Sequence, residues 1–231
     1  METLEELTRA GRERLYPALT NPNWLVLRRR RQLFQDWLKT IGERELVVLD
    51  IGGRIQPYRK LLEGRIKRYV AIDLRQTALV DIVCRAEEIP LAGGLFDLVI
   101  CSQVLEYIEK PQSVIAEIHR LLKPGGCLWL SAPSVFPRDS DEDLWRFLPG
   151  SLRLLLRQFQ DVKITAESSS IEGLFRTVSV CLVMFAKPAF LGSLLRFVIV
   201  PVLNLCAAIL ERVLNSSNDQ FCPNFSAFAK K

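Results

Sequence analysis

The stretch "VVLDIGGRIQPY" (47–58) runs from an apolar segment into Asp50, Gly52 and Gly53, and Asp73 closes a second apolar run 21 residues beyond Gly52. Paired glycines after a strand let the backbone turn tightly and come close to a ligand, which a Cβ would block. A carboxylate at the end of the next strand can accept hydrogen bonds from two ribose hydroxyls, at close to the spacing of a dinucleotide fingerprint. Yet Arg54 and Gln56 bring side chains where a phosphate needs bare amides, and G-x-G-x-x-G is absent, so a pyrophosphate cradle is disfavoured. These residues by themselves leave open a working cofactor loop, a variant of one, or a structural turn of similar appearance.

The elements that must position these groups alternate along the chain. Short continuous apolar runs at 45–50, 68–73, 81–84, 96–102 and 127–133 predict strands covered on both faces, and "FQDVKITAESSS" predicts a sixth. Helical patterns at 55–63, 111–122 and 149–159 fall between them, with "LAGG" and "LKPGG" as turn punctuation. The alternation predicts an α/β protein with a doubly wound, Rossmann-like, mostly parallel seven-stranded sheet. In such a sheet ligands lie beyond the carboxyl ends of the strands. The residues there are Asp50, Gly52 and Gly53; Asp73; Arg85, Ala86 and Glu87; Ser102, Gln103 and Glu106; and Ala132, Pro133 and Ser134.

Four regions are expected: an N-terminal helical extension (1–44), a core (45–170), an apolar helical insertion (171–220) and a last strand (221–231). The longest uncharged run of the insertion, 197–210, falls short of the roughly 20 residues of a spanning helix. Helices that lie on a membrane surface, or cap the core, are the expectation.

The chain has 231 residues, net charge +5 and 49% hydrophobic content, enough for one domain with appendages. Its basic residues form no long block apart from 28–31, a weak nucleic-acid signal; no nucleic-acid partner is expected. The run reads as the wet face of a helix, with anionic lipid as the alternative contact. Six cysteines without C-x-x-C pairing read as reduced core fillers of a cytoplasmic protein. The first 20 residues hold no apolar segment of the kind a secretory signal needs. One histidine and no clustered thiols leave a metal almost no ligands.

Taken together, "VVLDIGGR", "YVAIDL", "RAEEIPLAGGLFDLVICSQVLEYIEKP" and "AEIHRLLKPGGCLWLSAP" resemble the class I S-adenosylmethionine-dependent methyltransferases of the type 11 group. The resemblance covers about 45–165. It implies that Asp50, Gly52 and Gly53 line the methionine part of S-adenosylmethionine, that Asp73 holds the ribose, that Ala86 and Glu87 border the adenine, and that Ser102 and Gln103 close the site. The family usually has glycine where Arg54 and Gln56 stand, an acid at Arg85 and often histidine at Tyr107. A subset with "GGR" before Pro-Tyr, an "LRRRR"-like helix and an "EDLWRF"-like segment resembles enzymes of glycan biosynthesis. The function implied is methylation of a small molecule, lipid-linked sugar or glycan, with oxygen as the expected acceptor atom.

The loop "SVFPRDSDEDLWRF" offers Asp141, Glu142, Asp143, Trp145 and Arg146 as catalytic candidates, Asp143, Glu142 and Trp145 foremost; alignment of the nucleophile alone can also suffice. The helix at 111–122 runs back about 18 Å from the ligand end of the sheet at 1.5 Å per residue, and His119 lies towards its far end, so a structural role is expected. Two competing readings are a membrane-associated scaffold that has lost the cofactor, motivated by Arg54, Gln56 and Arg85, and a nicotinamide oxidoreductase, disfavoured by the missing glycines.

Overall fold

The computed structural model describes residues 2–138, 140–186, 189–214 and 217–231. Its sheet comprises β1 (Leu46–Ile51), β2 (Ile66–Asp73), β3 (Ile82–Val83), β4 (Phe96–Ser102), β5 (Leu122–Pro133), β6 (Gln160–Ala166) and β7 (Asn224–Lys230). The strand order is β3-β2-β1-β4-β5-β7-β6. The first five strands run parallel, and β7 is antiparallel to both β5 and β6. The order reverses between β1 and β4, which opens a crevice beyond Asp50 and Ser102. The expected seven-stranded, mostly parallel sheet is formed.

Its two faces are covered by different helices. On one, α2 (Trp24–Thr40) sets Leu33, Phe34 and Trp37 on Val48, Ile100, Trp129 and Phe228, preceded by α1 (Leu4–Leu15) with its Thr3–Glu6 capping box. Phe34 is fully buried, 5.0 Å from Trp129 and 4.7 Å from Tyr58 between ring centres, so its truncation to alanine would cost about 3–5 kcal/mol. On the other face, α3 (Pro111–Leu121) buries Val114, Ile115, Ile118 and Leu121 and starts with proline, whose missing N–H costs nothing there. His119, in its last turn, meets the Phe159 ring edge-on at 5.1 Å, at the end of the sheet away from the crevice.

Several elements differ from expectation. No α-helix forms at 55–63. Pro57 disfavours the α-helical region for Gln56, which takes φ +42°, and the chain makes only a 3-10 turn at Arg59–Leu62. "LKPGG" belongs to β5 rather than preceding it: the strand starts at Leu122, and the extra residues are absorbed where its register with β4 shifts, Gly125 taking φ +73°. Helix α4 (Pro149–Leu155) ends four residues early.

After β6 the chain forms α5 (Ser170–Phe185), α6 (Ala189–Leu194), a π-helical turn (Leu195–Ile199) and α7 (Val200–Leu214). The Val200 N–H reaches back to Leu195. The wide turn lies just before Pro201, whose ring and missing N–H a regular turn would not accommodate. The helix thus continues through Arg196 and Pro201. Phe190–Leu214 spans 25 residues, long and apolar enough by length and composition to cross a membrane, although the uncharged run alone is too short. One face of α7 is buried through Val200, Asn204 and Ala207, while Val202, Leu205, Ile209, Leu210, Val213 and Leu214 are exposed.

Candidate functional site

Gly52 and Gly53 both donate their N–H to Ile72 O, at 2.9 and 3.0 Å, which folds the loop after β1 against the end of β2 beside Asp73. Gly52 holds φ +74°, and a Cβ on it would meet Val104 Cγ2 at 2.6 Å. A Cβ on Gly53 would meet Asp50 O at 2.8 Å and the Ala71 methyl at 2.9 Å. Neither position accepts a side chain, and the reason is packing around the crevice as well as backbone freedom.

Asp50 is buried and accepts a 2.6 Å hydrogen bond from the Tyr69 hydroxyl. Burial lifts its carboxyl to about 7, against the pull of the Tyr69 hydrogen bond and with a further push from Asp73. Asp73 is half-buried and takes the Arg75 N–H on Oδ1 at 2.9 Å. Two acidic groups close enough to repel, beside a glycine turn, form an acceptor-rich cradle. It suits a ligand with an ammonium and ribose hydroxyls and no phosphate, and S-adenosylmethionine is such a ligand.

The variant residues are engaged with other partners. Arg54 turns to Glu2, 3.6 Å away. Gln56 donates to Leu79 O and accepts from Arg59. Ala86 is buried, and Glu87 is tied to Arg85 at 2.7 Å, so its carboxylate is already engaged. Ser102 Oγ lies 3.2 Å from the Tyr58 hydroxyl. Gln103, at φ +58°, bonds through its N–H to Ser131 O and through its amide to Ser131 Oγ. These candidates all meet at the carboxyl edge of the sheet.

The catalytic candidates are less well gathered. Asp143 is held by the Arg146 guanidinium, 2.6 Å from Nη2 to Oδ2, and Glu142 is exposed. Trp145 is exposed by 44% and donates from Nε1 to Ile108 O, pinning the loop. The same loop bonds through the N–H groups of Leu144 and Trp145 to Glu106 O. Glu106 itself is 4% exposed, with Oε2 unpartnered. Burial raises its carboxyl to about 7, against the pull of its own backbone hydrogen bond and of Arg30 and Arg14, and Asp143 adds to the rise.

Arg30 corrects the reading of 28–31 as a wet face. It is buried, with Nε 2.8 and 2.9 Å and Nη2 2.8 Å from the Glu167 carboxylate. Glu167 also accepts from Ser131 Oγ and Ser226 Oγ, both at 2.5 Å. One signal was available in the sequence: Val26, Arg30, Leu33 and Trp37 share one helical stripe, so Arg30 falls on the buried face. Glu167 gave no such sign, since it follows β6 in a polar run.

Among known folds the arrangement is that of S-adenosylmethionine-dependent methyltransferases. A methyltransferase of this kind from Archaeoglobus fulgidus aligns over 96% of this chain and 99% of its own, at TM-score 0.56 and 15% identity. A Burkholderia thailandensis 1,6-didemethyltoxoflavin-N1-methyltransferase, solved with S-adenosylhomocysteine, aligns over 97% and 83% at TM-score 0.55 and 17% identity. Residues 49–130 match the family model described as "Methyltransferase domain". A 69-residue stretch is 44% identical to the ubiquinone biosynthesis O-methyltransferase of Pseudomonas paraeruginosa, covering 30% of this chain and 27% of that protein. The chain therefore matches only about a quarter of the curated relative's length.

Proposed function

We propose that this protein transfers a methyl group from S-adenosylmethionine to an oxygen of a small molecule, lipid-linked sugar or glycan, and that it does so on the cytoplasmic face of a membrane. The observation that carries the reading is the glycine turn folded onto β2, with Asp50 and Asp73 forming one acidic cradle. The O-methyltransferase relative favours oxygen as the acceptor atom. Arg54 pairs with Glu2, Gln56 with Leu79 O and Arg85 with Glu87, which counts against the reading of a degenerate, non-catalytic scaffold that these three residues motivate.

In this mechanism Asp50, Gly52 and Gly53 would line the methionine part of the cofactor, Asp73 would hold the ribose, Ala86 with Glu87 would border the adenine, and Ser102 and Gln103 would close the site. The bound cofactor supplies a methyl on a positively charged sulfur. Glu106 accepts the proton of the acceptor hydroxyl: it lies one 3-10 turn from Val104, which touches Gly52, and its free oxygen and raised carboxyl suit that task at neutral pH. Asp143 orients Arg146, and Trp145 anchors the covering loop.

Membrane attachment rests on Phe190–Leu214. Phe190, Phe197, Ile209 and Val213 are each more than 60% exposed, and Arg28, Arg29 and Arg196 are exposed cations of the same chain. An apolar helix with basic groups is the two-signal arrangement that stable anchoring requires. The activity reading is tested by calorimetric titration with S-adenosylhomocysteine. Wild type should bind, and Asp73→Ala should weaken binding by about 1–3 kcal/mol through lost ribose acceptors. No binding by wild type at millimolar ligand refutes the reading, and unchanged affinity in the variant refutes the role of Asp73.

A further inference from the structure

The helix Phe190–Leu214 and α5 form an antiparallel pair whose two ends return to the same place. Ser169, the N-cap of α5, donates to Glu211 near the end of α7, and the Ser170 N–H bonds to Asn218 O at 2.7 Å. Two turns further into each helix, Arg176 of α5 and Asn204 of α7 both bond to the segment before α2. Arg176 donates to Asn23 Oδ1 at 2.8 and 2.6 Å, and Asn204 to Leu19 O and Asn21 O at 2.8 and 3.1 Å. One turn beyond these, Val180 and Val200 are buried as well. The Glu167 N–H bonds to Asn224 O at 3.0 Å, and Ala166, Phe225 and Ala132 are register partners across β6, β7 and β5. The chain therefore leaves the sheet for α5 and rejoins it after α7 at the carboxyl edge, the edge of the cofactor crevice.

These ties decide how the helix meets a bilayer. At 1.5 Å per residue its 25 residues reach about 37 Å, more than the roughly 30 Å of hydrocarbon. With both chain ends at one edge of one sheet, however, a crossing by this helix requires α5 to cross back, and the 16 residues of α5 reach only about 24 Å. Crossing also carries Arg176, Asn204 and the 19–23 segment bonded to them into hydrocarbon, where such polar groups are costly. The fold instead presents the helix sideways. Val200, Asn204 and Ala207 face the protein, and Leu194, Val198, Val202, Leu205, Ile209 and Val213 form the opposite stripe at spacings of three or four, each 47–73% exposed. Exposed arginines border it: Arg196 and Arg212 on the helix itself, and Arg28 and Arg29 on α2, which packs on α7. Arg28 lies over the Trp24 ring, 4.2 Å from its centre. Cations beside an apolar strip match anionic headgroups above an acyl boundary.

We propose that Phe190–Leu214 lies in the plane of an anionic membrane surface, its outer stripe sunk about 5–10 Å into one leaflet, and does not cross. The proposal rests on the reading of this helix as the membrane attachment and adds the geometry of that attachment. The basic border favours anionic lipid over a second copy of the chain, whose matching stripe brings charge of the same sign.

The test uses the full chain without cofactor, on vesicles of phosphatidylglycerol and phosphatidylcholine in equal parts. Leu194→Cys, Val202→Cys and Val213→Cys, each in a chain with Cys84, Cys181 and Cys206 changed to serine, carry an environment-sensitive fluorophore. Lipids spin-labelled near the headgroup or near the acyl end serve as shallow and deep quenchers. All three labelled sites are exposed, so the label displaces no packing. The three should lose similar shares of their fluorescence to the shallow lipid and little to the deep one. Deep quenching strongest at Val202, with shallow quenching at Leu194 and Val213, shows a crossing helix and overturns the geometry while leaving attachment standing. Should the serine background not fold, wild type labelled at the exposed Cys206, with Cys206→Ser as the blank, gives the mid-helix reading alone, and deep quenching there overturns the geometry equally. No quenching at any site, with the protein in the soluble fraction, removes the attachment and the geometry with it. A soluble dimer that shields all three labels assigns the stripe to a second copy and also overturns the proposal.

Discussion

Asp50→Asn should make this protein more stable at alkaline pH while abolishing its use of the cofactor. The Asp50 carboxyl is held at about 7 against an ordinary value of 3.8, with burial the main cause. Below pH 3.8 it is protonated whether the chain is folded or not, and its burial carries no ionisation cost. As pH rises through about 7 the native state must ionise a carboxyl that the unfolded chain ionises far more readily, so stability is lost. At 1.36 kcal/mol per pH unit the difference amounts to about 4 kcal/mol by pH 8. Asparagine keeps the oxygen that accepts the Tyr69 hydroxyl and removes the titration. Urea unfolding of wild type and variant should give similar stabilities near pH 4 and a variant several kcal/mol more stable at pH 8, with the m-values unchanged. In wild type, a cofactor ammonium at Asp50 should drive a proton off near pH 7, visible as buffer-dependent binding heat. A variant that loses equal stability at both pH values would refute the reasoning, since the carboxylate would then be a structural acceptor and not a strained, ligand-awaiting acid.

Three other outcomes are expected. Gly53→Ala should destabilise by about 1–3 kcal/mol in urea, because its methyl meets Asp50 O at 2.8 Å and the Ala71 methyl at 2.9 Å; unchanged stability would show that the loop can yield. Glu106→Gln should leave S-adenosylhomocysteine affinity intact while lowering turnover about 10²-fold or more, and it should remove a rise in rate through pH 7, where the wild-type carboxyl ionises; a persistent rise assigns the proton elsewhere. Phe190→Ser with Phe197→Ser should move the protein out of the lipid fraction in flotation with anionic vesicles; wild type recovered wholly in the soluble fraction at every salt concentration removes the membrane reading.

The glycine turn and the acids at the strand ends were legible because their signals are local. A tight turn needs glycine at 52 and 53, a strand buried on both faces needs a continuous apolar run, and an acid at the end of such a run, as at Asp50 and Asp73, has few reasons to be there except a ligand. The same locality explains the misread helix at 55–63: its apolar spacing was sound, but Pro57 overrode it. The length of Phe190–Leu214 was hidden by Arg196 and Pro201, two residues that read as interruptions and that a π-helical turn absorbs.

The sequence by itself determined the sheet class, the glycine turn and the acids at the strand ends, since each depends on neighbours within a few residues of one another. Only the tertiary structure decided the polar interior beside them. Arg30 and Glu167 are 137 residues apart, Arg176 and Asn23 are 153, and which polar groups are buried together depends on how helices from opposite ends of the chain close over the sheet. Burial energy is set by what surrounds a charge in space, and no periodicity along the chain encodes that.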